Sequence, residues 1–161
     1  MTTKVIFAIV LISLAFSCSD NSSPTLQETP GTQDILSSHE ASDNFTEDKT
    51  KQVLEHHWKA FTENNLEEVM ADYVEESVLV TPEATYKGLT QIRQNFENAY
   101  IKFPKDKSDF KLTKTVIDRD VAYILWQSKT PTFDLSFATD TFIIRNGKII
   151  RQTYAGVAKA L

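Results

Sequence analysis

The stretch Phe137-Ala-Thr-Asp-Thr-Phe-Ile-Ile-Arg-Asn-Gly-Lys-Ile-Ile150 decides the fold. Asn-Gly between two apolar runs predicts a hairpin, and the loop length sets which side chains face the core. A two-residue turn at Asn146-Gly147 pairs Asp140 with Thr153 and Phe142 with Arg151. A three-residue loop, Arg145-Asn-Gly147, with Gly147 in the left-handed region as a bulge, pairs Asp140 with Gln152 and Phe142 with Ile150. The second register collects Phe142, Ile144, Ile150 and Tyr154 on one face and is preferred, because a one-residue slip mixes both faces. It also turns Asp140 and Gln152 inward. The plainer alternative is an exposed acid paired with Arg151 or Lys148.

Upstream, Phe133, Leu135 and Phe137 have the opposite parity to Asp140 and Phe142. Either a bulge near Ala138 switches the face, or a second subunit covers the outer one; large apolar residues facing out from a sheet favour a homodimer. Strands are also expected over 110–116 and 121–129, and a short one over 77–81 ended by Pro82. Three helices precede the main strands. An Asn44/Glu47 capping box opens 46–63, where Leu54, Trp58 and Phe61 recur at helical spacing. Asn65/Glu68 caps a short helix to about Tyr73, and a third begins at Gly88 with Pro104 just past its end. Helices followed by antiparallel strands predict an α+β domain, the helices laid on one face of a curved sheet.

Charge divides the 161 residues into three parts. Residues 1–17 read as a secretory signal: Lys4, an apolar run Val5 to Phe16 too short to span a bilayer, which takes about 20 residues, then Ser17. Leu14-Ala-Phe-Ser-Cys18 resembles a bacterial lipobox, predicting lipidation at Cys18, the one Cys of the chain, and a place in the bacterial cell envelope, lipid-anchored. Residues 18–45 hold Asp20, Glu28, Asp34, Glu40 and Asp43 with no Lys or Arg and few large apolar residues, so a disordered acidic tether is expected. Residues 46–161 have 16 bases against 17 acids and no basic run, which argues against nucleic acid. No metal triad, phosphate loop or nucleophile elbow is present, so no cofactor is expected; His39 falls in the tether.

Ala60-Phe-Thr-Glu-Asn-Asn-Leu66, Tyr73-Val-Glu-Glu-Ser-Val78, Tyr86-Lys-Gly-Leu-Thr-Gln-Ile92 and Asp140-Thr-Phe-Ile-Ile-Arg-Asn-Gly-Lys-Ile149, in that order and spacing, resemble the nuclear transport factor 2-like superfamily, in its SnoaL-like and ketosteroid-isomerase-like branch. The resemblance covers about 46–156. It implies a cone-shaped domain with a pocket between helices and sheet, often dimeric through the outer sheet face. Isomerases of this branch use a Tyr and a protonated Asp as an oxyanion hole and a second Asp as base. The resemblance places the Tyr position at His57, the base at Thr81 and the protonated Asp at Asp140. Thr81 is no carboxylate, so steroid isomerisation is not implied; Glu83, two residues on, reaches the same space.

Two functional classes follow. In the first, the pocket binds a small hydrophobic molecule and performs cofactor-free acid–base chemistry, with Asp140 as donor and His57 sharing its proton. Trp58, Tyr73, Tyr86, Phe96, Trp126, Phe142, Gln152 and Tyr154 would supply the wall. In the second, the same pocket or the outer face is a non-catalytic binding or interaction module. A His at the edge of an apolar face is ordinarily packed as core, so His57 in the pocket is the discriminating geometry.

Overall fold

The computed structural model describes residues 46–161, and the signal, Cys18, the tether, His39 and Asn44 lie outside them. Chain order is α1 (Glu47–Thr62), α2 (Leu66–Ala71), β1 (Tyr73–Val80), β2 (Thr85–Lys87), α3 (Gly88–Lys102), β3 (Asp109–Asp118), β4 (Val121–Lys129), β5 (Phe133–Arg145) and β6 (Lys148–Ala160). The strands form one sheet in the order β2-β1-β6-β5-β4-β3. This is the expected α+β architecture, with one departure: β1 and β6 run parallel, so the sheet is not wholly antiparallel. Among the described residues, no helix is long and apolar enough to cross a membrane.

Local chemistry explains the boundaries. The cap of α1 is Thr46 rather than Asn44; its hydroxyl accepts from the Lys49 amide, satisfying one of the orphan donors at the helix start. Asn64, at φ 52°, takes the left-handed turn that ends α1, and Asn65 caps α2 by accepting from Glu68 N, as its spacing predicts. This tight turn folds α2 back along α1. Gly88 opens α3 at φ 75°, a conformation that Cβ disfavours.

In the β5–β6 hairpin, Asn146 (φ 52°) and Gly147 (φ 72°) make a two-residue turn between the paired Arg145 and Lys148. The expected bulge at Gly147 is absent; the extra residue is Ile150, because Ile144 pairs with Ile149 while Ile143 pairs with Arg151. Asp140 therefore stands opposite Tyr154, and Phe142 opposite Gln152, not Ile150. Beyond the bulge the register differs from the expected one by two residues, an even number, so Asp140, Phe142, Gln152 and Tyr154 keep their expected face. Before it, Ile149 rather than Ile150 is the residue buried against the core, which corrects the expected inward place of Ile150. Asp140 and Gln152 point inward.

A second bulge settles the parity conflict upstream. Leu135 pairs with Ala158 and Phe137 with Val157, leaving Ser136 extra in β5, two residues before Ala138. Leu135 and Ala138 thus both face inward and are buried, while Phe137 stays outside at 44% exposure.

The helices cover the inner face. Phe142, Leu79, Ile92, Ile124, Leu135, Ile144 and Ile149 are almost fully buried there. Each side chain of this size contributes about 1.5–3 kcal/mol on burial. Thr50 Oγ1 ties α1 to the β3–β4 turn through the Arg119 carbonyl at 2.7 Å, which helps hold the helix over the sheet.

Candidate functional site

Between α1, α3 and the inner sheet face lies a cavity of about 840 Å³. That volume suits a small organic molecule, for which pockets of roughly 300–1,000 Å³ are usual. His57, Trp58, Thr81, Glu83, Tyr86, Phe96, Trp126, Asp140, Phe142, Gln152 and Tyr154 all line it. Tyr73 does not, which corrects its expected place in the wall: it is buried behind the lining and donates its hydroxyl to Gln152 Oε1.

Asp140 forms the polar floor. Its oxygens accept from Trp126 Nε1 and from Gln152 Nε2, both at 2.8 Å. Burial pushes its carboxyl above the ordinary value; the bonds from Gln152 and Trp126, and the nearby His57, hold it back without cancelling the effect. The carboxyl is 5% exposed, so it keeps a proton more readily than a surface acid. The Trp126 N–H can only donate, so the Asp140 oxygen it meets must accept.

His57 projects from α1 into the same cavity, with the rings of Tyr73, Phe96 and Phe142 edge-on around it at 5.3–5.8 Å between centroids. Its Nδ1 donates to Asp72 Oδ2 at 3.1 Å, so its neutral form holds the proton there and leaves Nε2 as acceptor. Direct proton sharing between His57 and Asp140, as expected from the sequence, is not observed: no hydrogen bond joins them among the described residues. The polar partner of His57 is Asp72, a buried acid at the α2–β1 junction that sequence reasoning missed. Nothing periodic marks it, since fifteen residues and a tight turn separate it from His57.

Around the mouth, Thr81 accepts from the Glu83 and Ala84 amides at 3.2 Å, so its hydroxyl serves its own turn. Glu83 is exposed at the rim. Tyr154 is half-buried beside Trp126; burial, with Asp140 and Glu83 nearby, pushes its hydroxyl up to about 12 and keeps it a neutral donor. Phe61, Leu79, Phe103 and Gly156 also line the cavity and were not expected. The first three followed the helical and strand periods but could not be told from plain core. Among the described residues, no cluster of three or more His, Cys, Asp or Glu is arranged to hold a metal.

Fold and site together define a helix-covered curved sheet with one aromatic cavity and a polar floor. Solved structures place it more narrowly, in the nuclear transport factor 2-like fold. A nuclear transport factor 2-like protein of unknown function from Burkholderia xenovorans superposes with a TM-score of 0.57 at 14% identity, covering 68% of this chain and 84% of that one. A candidate ketosteroid isomerase from Kribbella flavida gives 0.59 at 14%, over 68% and 78%. A candidate polyketide cyclase from Sinorhizobium meliloti gives 0.58 at 16%, over 69% and 100%. A de novo designed protein with a curved β-sheet matches as well, at 0.60 and 15% over 70% and 88%, so the likeness carries shape and not activity. No family model and no curated protein matches the sequence.

Proposed function

We propose that the domain binds a small, flat, largely apolar molecule and moves a proton on it without a cofactor. The observation that carries this reading is that His57 and Asp140 open into one aromatic cavity, each held by its own buried partners. The aromatic wall favours a planar apolar body, and the floor favours one polar group on it. His57 Nε2 takes a proton from the ligand, and Asp72 stabilises the imidazolium that results. Asp140, kept towards its neutral form by burial, or the Tyr154 hydroxyl, donates to the ligand oxygen. A second reading, binding alone, is favoured by Thr81: where the resemblance places a carboxylate base, this chain has a hydroxyl committed to its own turn.

Incubation with flat cyclic ketones in deuterated water, followed by mass spectrometry, tests both. Deuterium gain with the native protein and its loss in His57→Gln support proton transfer. Binding that responds to His57→Gln and Asp140→Asn without any exchange reduces the function to binding, and indifference of binding to both variants removes the site. Around this domain we also propose a lipid anchor at Cys18 in the bacterial envelope and a homodimer through the outer sheet face. Release of the Cys18→Ser variant from membranes tests the anchor.

A further inference from the structure

Asp72 receives two histidines at once. His56 Nδ1 donates to its Oδ1 at 2.8 Å and His57 Nδ1 to its Oδ2 at 3.1 Å. Consecutive residues on a helix diverge by about 100°, so neighbours on α1 cannot share an environment unless a group stands between them. Here His57 is 5% exposed and turned into the cavity, while His56 is 42% exposed and meets Glu68 through Nε2 at 3.0 Å. One carboxylate thus joins a ring that faces the ligand space to a ring that faces water.

We propose that His56, with Glu68, is a positioning residue for the His57 base: protonation of His56 at the surface claims the charge of Asp72 and makes His57 less basic in the cavity. The role assigned to His57 rests on the proton-transfer reading above, but the coupling itself does not. A single carboxylate cannot fully offset two imidazolium ions, so the second protonation is resisted by the first. Burial opposes charge on His56, yet Asp72 and Glu68 together raise its pKa above the ordinary value, so the surface ring holds its proton into the neutral range. As pH rises and His56 lets go, Asp72 returns wholly to His57.

Other groups face this pair from each neighbouring element. Tyr73 of β1 lies edge-on to His57, Phe96 of α3 and Phe142 of β5 complete its surround, and Asp140 of β5 is the other carboxyl that acts on it. From β6, Lys148 donates to the Ala71 carbonyl at 2.6 Å and the Ile149 amide to the Asp72 carbonyl at 2.8 Å, fixing the backbone that carries the acid. Asp140 is therefore the competing influence to control for.

The test is ring-nitrogen NMR of the ligand-free full chain through a pH series, comparing native protein with His56→Gln and His56→Lys, each also in an Asp140→Asn background. Gln keeps an N–H donor for Asp72 while removing the titration, and Lys fixes a positive charge at the surface. Neutral His57 should carry its proton on Nδ1 in the native protein. Its titration midpoint should rise in His56→Gln, which removes the neighbouring charge, and should not rise in His56→Lys, which keeps one. The Asp140→Asn background should preserve the difference. A His57 midpoint that is the same in native protein and His56→Gln, or a His57 that titrates in neither, overturns the proposal. A cavity that binds no ligand would overturn the proton-transfer reading and leave this coupling standing.

Discussion

Asp140→Asn tests the floor of the cavity most sharply, because the network predicts both the size of the effect and its pH dependence. Trp126 donates to one carboxyl oxygen, Gln152 to the other, and Tyr73 to the Gln152 oxygen. The indole can only donate, so the new amide must keep its oxygen there and turn its NH2 on Gln152. Gln152 then reverses its amide, accepts from the variant side chain and donates to the Tyr73 oxygen. Three bonds survive, but the buried Tyr73 hydroxyl loses its acceptor, which costs about 1–3 kcal/mol. A protonated carboxyl avoids this cost, since it can aim its O–H at the cavity and still accept at both oxygens.

The charge acts in the opposite sense. Burial raises the Asp140 carboxyl in the folded state, so the folded protein binds its proton more tightly than the unfolded chain does. Its contribution to stability is then full below about pH 4 and declines as pH rises through the folded value. The variant has no such decline. Near pH 4 the variant should be less stable by about 1–3 kcal/mol, and the gap should narrow as pH rises through the folded value. Urea unfolding at several pH values, followed by tryptophan fluorescence, measures the gap directly. A gap that widens with rising pH would refute the reasoning, because it would mean that ionised Asp140 stabilises the fold as an acceptor.

Gly156→Ala places a Cβ 2.8 Å from the Tyr154 hydroxyl and 3.1 Å from both Leu135 Cδ1 and the Phe137 carbonyl. The hydroxyl must move, so melts should show a loss of about 1 kcal/mol and ligand affinity should fall, whereas unchanged affinity would remove Tyr154 from the ligand's contacts. On the outer face Phe137 and Val157 pair across β5 and β6 at 44% and 62% exposure. If this face joins two copies, Phe137→Lys with Val157→Lys should convert a sedimenting dimer to monomer with the fold intact. A native protein that sediments as monomer, or a variant that stays dimeric, ends that proposal.

Much of this fold could be read from its residues because local rules and the tertiary result agree. The Asn65 cap, the Gly88 helix start and the two-residue period after Pro104 each name an element without outside help. The hairpin was legible only in part: the demand for one apolar face gave the side of Asp140, while the turn is the two-residue Asn146-Gly147 form that this demand had set aside, and the bulge at Ile150 that reconciles the two came from packing that no dipeptide encodes. The bulge at Ser136 was more legible, because the opposite parity of Leu135 and Asp140 already called for a switch of face near Ala138. Asp72 was least legible. Its importance depends on α2 folding back along α1, and two adjacent histidines by themselves suggest only a helix edge.

Buried polar groups cost stability unless paired, and three of them, His57, Asp140 and Gln152, line this cavity. Asp140 spends both oxygens on Trp126 and Gln152, and Gln152 spends its amide on Asp140 and Tyr73. His57 spends Nδ1 on Asp72. The groups this network leaves over are the acceptor Nε2 of His57 and two donors, the O–H of a protonated Asp140 and the hydroxyl of Tyr154, the latter held over Gly156, where a Cβ would displace it. At the buried end of the cavity these groups define what a complementary ligand must carry: a hydrogen to give up on one side and an oxygen to receive one on the other. A carbonyl compound with an acidic neighbouring C–H meets both demands, and a hydrocarbon of the same shape meets neither. Affinity should therefore separate such a pair even where their buried areas are equal, and an equal affinity would show that the polar floor is structural.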